Sequence, residues 1–472
     1  MTTFSHDTYI SPYTWRYGSE EMRYIFSEEH KRKLLRRVWI ALARAEMKAG
    51  IVSEEQLREL EEHKDDINIE RATEIENVIH HDLMAEIKTY AEECPKAGGI
   101  IHLGATSMDA LDNADAVRFK EALELVVSRL VELSDALSAK AEEYKATATM
   151  AFTHIQPAEI TTIGYRLSQT LQDLTDDLEE IVRVRDAIRG KGMKGAVGTA
   201  ASYKELLENS PISSMELDEM VMNELGIKSY NAATQIYTRK QDLRIIASLA
   251  SLSSTLHKFS QDFRILQSPP IGEFSEPFGK MQVGSSAMPF KRNPINSEKI
   301  DSLCRLVESS YQTAWANASL TVLERSLDDS ANRRVFISEA FIATDEILLT
   351  ELKIVKGMSI HSDATARLMA NYGIFASTER LLMALGKKGA DRQEMHEVIR
   401  EESLKAWAEL QRGKDNNLKE NLLNDERILS YLSKEEIVAL LSAEGYIGDA
   451  VERTELVIKD YMSKRPALKS TK

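Results

Sequence analysis

The chain has 472 residues, with 60 lysines and arginines against 75 aspartates and glutamates, a net charge of -15. That length points to about two to four domains, and the acidic balance argues against a general nucleic-acid binder. Only 10 prolines and 21 glycines exclude collagen, low-complexity disorder and a fold of many short strands.

Proline is absent from 96–156, 158–210, 212–268 and 295–465, which leaves room for long helices. The opening MTTFSHDTYISPYTW shows no basic region ahead of an apolar core, so no secretory leader is expected. Residues 1–110 mix aromatic-rich segments with shorter amphipathic helices and include the charged stretch 53–74. A first apolar seam follows through Leu123, Val126, Leu130, Leu133, Leu137 and Ala141. The second runs through Leu167, Leu171, Leu174, Leu178, Ile181 and Ile188, with Arg185 in the missing step. A third runs through Ile245, Leu249, Leu252, Leu256, Phe259, Phe263 and Leu266. Alternating spacings of three and four are a heptad pattern, so these helices should pack side by side as a bundle. Ile300, Leu303 and Leu306 add two turns after Pro294. From 361 shorter helices are expected, broken at GKKGADRQ and RGKDNN, and the closing SKRPALKSTK reads as a frayed tail. The expected class is all-α, with a central bundle over 111–360 between helical domains 1–110 and 361–472. No run of 18 apolar residues occurs, so no membrane span is expected. Two cysteines, Cys94 and Cys304, cannot build a disulfide framework, which fits a cytoplasmic chain.

One segment breaks the helical pattern. Residues 268–296 hold five of the ten prolines, and loops this long in compact domains are usually functional or disordered. Within it, GSSAMPFKRNP (284–294) sets paired serines beside Lys291 and Arg292. Gly284 is expected to supply a positive φ, and the amides and cations suit an anionic substrate. By residue type alone, a surface turn explains the segment as well.

The spacing G-S-S-x-M-P-x-K-x-N-P fixes eight positions of eleven and resembles the signature of the fumarase/aspartase superfamily, helical lyases that release fumarate. Other segments resemble the adenylosuccinate lyase family, particularly its vertebrate-type branch. They are WRYGSEEM (15–22), HHDLMAE (80–86), HLGATSMDALDNAD (102–115), FTHIQPAEITTIGYR (152–166), QIYTRKQD (235–242) and LERSLDDSANRR (323–334). The resemblance implies a three-domain fold and β-elimination of fumarate from adenylosuccinate and from SAICAR, giving AMP and AICAR in purine biosynthesis. It assigns the general base to Ser285 and the general acid to His154. Substrate contacts fall on Arg16, Tyr17, His81, Asp82, Thr106, Ser107, Thr153, Gln235, Lys291, Asn293, Arg325, Ser330 and Arg334. It also implies no cofactor, no metal, and a homotetramer whose sites draw on three subunits.

Departures are Phe290 where the family usually has tyrosine or histidine, and His80 where arginine is common. Beyond residue 405 no motif is recognised. Arg325 and Arg334 also fit helix-surface charges paired with Asp328 and Asp329. His257, His361 and His396 read as structural. Three other functions stay open at this point: a lyase acting on argininosuccinate, malate or aspartate; a helical terpenoid synthase using DDLEE (176–180) to bind magnesium; and a non-catalytic helical scaffold.

Overall fold

The computed structural model describes residues 7–442 and 445–469. Its long helices are Ser107–Glu143, Ile163–Asp186, Lys240–Gln267, Ile295–Leu320, Ser330–Gly357 and Ser362–Lys387, so the stretch from 361 opens with a long helix where shorter ones were expected. Every residue of the three heptad seams is buried, Arg185 included. Apolar burial of this kind contributes about 1.5–3 kcal/mol per large side chain, so the seams account for the helices better than propensity does. Leu306 is the exception at 42 % exposure. On the same helix, Ile295–Leu320, Tyr311, Trp315 and Leu320 are also exposed, Tyr311 and Trp315 sharing one face and Leu306 and Leu320 the opposite one.

Helix ends follow local chemistry. Ser27 starts Glu28–Lys48 by accepting from the His30 N–H, and Ser53 and Gln56 form a reciprocal cap at Glu54–Glu62. The Lys240–Gln267 helix stops at Ser268, before two prolines that cannot supply the next N–H groups. The Ser362–Lys387, Arg392–Gln411 and Leu418–Leu423 helices are separated at GKKGADRQ and RGKDNN. The closing stretch departs from expectation, because the Ala450–Lys469 helix runs through most of it. Residues 470–472 lie outside the described residues.

The chain divides into two compact units whose segments interleave along the sequence. Unit one takes residues up to Leu130, Asp176–His257 and Asp301–Leu349; unit two takes Val131–Thr175, Lys258–Ile300 and the residues from Thr350 on. Unit two contains a core of Leu381, Leu385, Val398, Leu422, Ile428 and Ile437, contributed by its C-terminal helices.

The class is all-α, and strands are short. Ala148–Thr153 pairs antiparallel with Gln156–Thr162, Phe274–Ser275 with Ser359–Ile360, and Arg189–Gly190 runs parallel to Lys228–Ser229. Among the described residues no helix is long and apolar enough to cross a membrane, and both cysteines are buried and outside any disulfide. The DDLEE run is engaged in packing. Asp177 accepts from Ser251 at 2.9 Å and Thr255 at 2.6 Å, while Glu180 pairs with Arg183.

Candidate active site

The first site element is a β-hairpin, a strand pair that the helical reading missed. Thr153 and Gln156 face each other across a two-residue turn, with His154 at φ 55° and Ile155 at φ 59°. Consecutive positive φ values mark the tight hairpin turn that matches strand twist, normally filled by Asn-Gly or Asp-Gly. A histidine and a β-branched isoleucine there are strained, at about 1–3 kcal/mol per residue, and such strain concentrates at functional sites. A register shift between Met150 and Phe152 marks a bulge in the same strand, a device that re-aims side chains. His154 is exposed at the tip. Phe152 and Ile155 line a cavity of about 630 Å³ with Tyr165, Arg166 and Lys258; Ser285 and His154 do not line it.

The second element is the proline-rich loop. Ser285 Oγ accepts from the Met288 N–H at 3.0 Å and the Ala287 N–H at 3.3 Å, so two backbone dipoles already point at the oxygen. Asn293 Nδ2 donates to the Gly284 carbonyl at 3.3 Å, tying the two ends of the motif together. Gly284 does not adopt the expected positive φ. Glycine is required instead because a Cβ would lie 2.2 Å from the Lys291 carbonyl oxygen. The Lys291 and Phe290 side chains are exposed.

Two glutamates fix the roots of these elements within unit two. Glu273 is fully buried and accepts from Arg166 at 2.6 Å and from Thr149 on the hairpin strand. Arg166 also donates to the Met150 carbonyl at 2.6 Å, and the Glu273 carbonyl receives the His361 N–H. Glu276 accepts from the Ser297 N–H and hydroxyl, both at 2.7 Å, and from Asn296 Nδ2 at 2.7 Å. It thereby caps the helix that follows the loop. Gln267 closes the neck: its Oε1 takes the Glu276 N–H at 2.8 Å and its Nε2 donates to the Arg292 carbonyl at 3.2 Å. Hairpin and loop are thus joined at their bases, though Ser285 and His154 share no hydrogen bond.

The remaining residues named from sequence lie in unit one. Arg16 is exposed and stacks over the rings of Trp15 and Tyr17. His81 caps the Asp82–Glu93 helix, its Nδ1 accepting from the Met84 N–H at 3.3 Å. Asp82 accepts from Arg334 at 2.8 Å. Burial pushes the Asp82 carboxyl up, but the Arg334 hydrogen bond and the Leu83 N–H outweigh this and hold it below its ordinary value. Thr106 and Ser107 are half-buried at the start of the Ser107–Glu143 helix, where the Thr106 N–H meets Asp109 at 3.0 Å. Asp109 also accepts from Lys191, the Gly195 N–H and Tyr203, an anchoring role that no motif marked.

Two segments singled out in the sequence are held together here. The Gln235 N–H reaches the Glu324 carbonyl at 3.2 Å. Arg239 joins Asp112 at 3.0 Å and Asp329 at 2.6 Å, and Arg333 donates to Asp242 at 2.7 Å. Arg325 donates to Asp329 at 2.7 Å, but from the loop ahead of the Ser330–Gly357 helix and to a buried carboxylate, so the pair is not a helix-surface one, and Arg334 takes Asp82 in place of Asp328. Burial raises the Asp329 carboxyl, but Arg239 and then Arg325 hold it below its ordinary value. Ser330 begins the Ser330–Gly357 helix beside this network. His81, Asp82 and Arg334 form one group, and Gln235, Arg325 and Ser330 lie on the segments of another. Among the described residues no group of three or more His, Cys, Asp or Glu side chains is arranged to hold a metal ion.

Comparison with known proteins follows this geometry. A family described as Lyase matches residues 13–308, and one described as Adenylosuccinate lyase C-terminus matches residues 375–457. The second match covers most of the stretch after 405 where sequence reading recognised nothing. Adenylosuccinate lyase from Saccharomyces cerevisiae is 37 % identical over 460 residues, covering 96 % of this chain and 95 % of its own. The protein of that name from Schistosoma mansoni is 38 % identical over 471 residues, covering 99 % and 97 %. Among solved structures, 3-carboxy-cis,cis-muconate lactonizing enzyme from Pseudomonas putida superposes with a TM-score of 0.83 at 22 % identity, over 96 % of this chain and 98 % of that one. A fumarate lyase from a Mesorhizobium species gives 0.82 at 21 % identity, over 94 % and 98 %. At those identities the structural likeness concerns the fold.

Proposed function

The chain belongs to the adenylosuccinate lyase family, and on that footing we propose that it cleaves adenylosuccinate to fumarate and AMP, and SAICAR to fumarate and AICAR. The observation that carries the site assignment is Ser285 Oγ held by two backbone N–H groups inside the proline-rich loop. Elimination needs a base for a weak carbon acid, donors for a dianionic carboxylate-like intermediate, and an acid for the departing nitrogen. Ser285 takes the proton from the carbon next to a carboxylate. Serine is a poor base in water, and the Ala287 and Met288 N–H groups favour its alkoxide. The carbon–nitrogen bond then breaks, and its electron pair leaves with the nitrogen. His154 supplies the proton to that nitrogen; imidazole suits this role because its ordinary pKa lies near neutrality.

Thr106, Ser107, Lys291 and Asn293 are assigned to the carboxylates, with Thr153 and Gln235 beside them. Arg16, Tyr17, Arg325, Ser330 and Arg334 are assigned to the phosphate and nucleotide, and His81 and Asp82 to substrate binding. Guanidinium forks suit phosphate, although Arg325 and Arg334 hold carboxylates in the free chain. The loop is assigned a closing motion over substrate.

Assembly as a homotetramer with shared sites, a cytoplasmic location and the division into 1–110, 111–360 and 361–472 belong to the same proposal. The exposed apolar side chains Leu306, Tyr311, Trp315 and Leu320, spread over two faces of the Ile295–Leu320 helix, support assembly, because exposed apolar side chains favour burial against another copy. Fumarate release from a panel of adenylosuccinate, SAICAR, argininosuccinate, malate and aspartate tests the reading. Release from the first two alone is expected; release from any of the others in their place contradicts it.

A further inference from the structure

Arg185 occupies a position where its seam calls for an apolar residue, and its side chain is only 3 % exposed there. Its Nε donates to Asp186 Oδ1 at 2.8 Å, but Nη1 has no hydrogen-bond partner. A buried charged N–H without an acceptor is costly, and each such exception calls for an explanation. Arg185 lines a concave pocket of about 380 Å³ in unit one, together with Lys120, Asp186, Arg189, Asn223 and Lys228. The short parallel bridge provides a second observation. It pairs Arg189 with Lys228, and like charges directly opposed across strands repel. Neither side chain has an ion-pair partner among the described residues.

The local charge balance remains positive after its counter-charges are included. Lys120 Nζ donates to the Gly226 carbonyl at 3.0 Å, at the end of the Ser214–Leu225 helix. That helix and Ile163–Asp186 both end here, each contributing about half a negative charge. Asp186 contributes a full one. The cations Lys120, Arg185, Arg189 and Lys228 therefore keep an excess of roughly two charges.

We infer that this pocket is an anion site for a phosphate-bearing small molecule carrying at least two negative charges. The phosphate oxygens bridge Arg189 and Lys228, which removes their mutual repulsion, and the anion's charge offsets that of the buried Arg185 guanidinium beneath them. None of the residues assigned to elimination lines the pocket. Inorganic pyrophosphate and a nucleoside diphosphate share the chemistry recognised here.

Calorimetric titration of the full chain with inorganic pyrophosphate at low ionic strength tests the site, with ADP as a parallel arm. Binding is expected in the parent. The Arg189→Gln/Lys228→Gln variant should bind at least tenfold more weakly while its melting temperature is not lowered, since a repulsion is removed, and its elimination rate stays that of the parent. Arg189→Lys/Lys228→Arg should retain binding, and Arg334→Gln should leave it unchanged. Equal affinity for the two ligands assigns recognition to phosphate alone, and tighter ADP binding adds a nucleoside contact. Absence of binding in the parent overturns the inference. So does unchanged affinity in Arg189→Gln/Lys228→Gln, or loss of binding only in Arg334→Gln, which would place the anion in the substrate site.

Discussion

Ile155 is a β-branched residue at φ 59° with 64 % exposure, so it bears backbone strain while burying little surface. Glycine adopts that conformation freely. Ile155→Gly should therefore raise the melting temperature by the equivalent of about 1 kcal/mol, and a lower melting temperature would refute the strain. Glu46 presents a different cost. It is buried in the Glu28–Lys48 helix, neither side-chain oxygen has a hydrogen-bond partner, and burial pushes its carboxyl up to about 8. An unfolded glutamate titrates near 4.3, so between about pH 4 and 8 the folded chain keeps a proton that the unfolded chain has released. Stability therefore falls as pH rises through that window. Glu46→Gln removes the titration, and its melting advantage over the parent should grow from about pH 5 to pH 8.5. An advantage independent of pH would contradict this.

The seams show what sequence patterning conveys about elements. Leu167 through Ile188 and Ile245 through Leu266 are legible because burial imposes a helical period on the sequence, and their burial is complete. The 148–162 hairpin lies between the 123–141 and 167–188 seams, in a stretch where no helical period runs. Its β-branched residues and alternation were the available signal. The anchors Glu273 and Glu276 were hidden for another reason: their partners, Arg166 and Ser297, are far away in sequence, and no local spacing records a tertiary ion pair. Similarly, the motifs singled out Ser285, His154, Thr106 and Ser107, but not Asp109 or Arg239. Glu273→Gln leaves Arg166 with a weakened buried partner. It should lower stability by about 3 kcal/mol and reduce turnover, because hairpin and loop share that root. Parent-like melting and turnover would show that the root does not position the site.

At the scale of the whole molecule, a net charge of -15 must coexist with binding of a substrate bearing two carboxylates and a phosphate. Local cations then do the attracting, and attraction between exposed charges is screened by salt. The Michaelis constant for adenylosuccinate should rise with ionic strength, and a constant that ignores salt would argue against attraction by Arg16, Lys291, Arg325 and Arg334. The exposure of Leu306 was not legible, because in the sequence it continues the apolar spacing of Ile300 and Leu303, and one sequence does not distinguish a seam within a chain from one between chains. If sites are shared among subunits, mixing inactive Ser285→Ala and His154→Gln proteins should restore activity after subunit exchange; continued inactivity in exchanged oligomers would refute sharing. The most direct test of the account is the steady-state turnover of adenylosuccinate by the parent and by Ser285→Ala, followed by fumarate release. The parent should turn over and the variant should lose about a hundredfold to ten-thousandfold, the range for removing a general base; near-parent turnover in Ser285→Ala would contradict it.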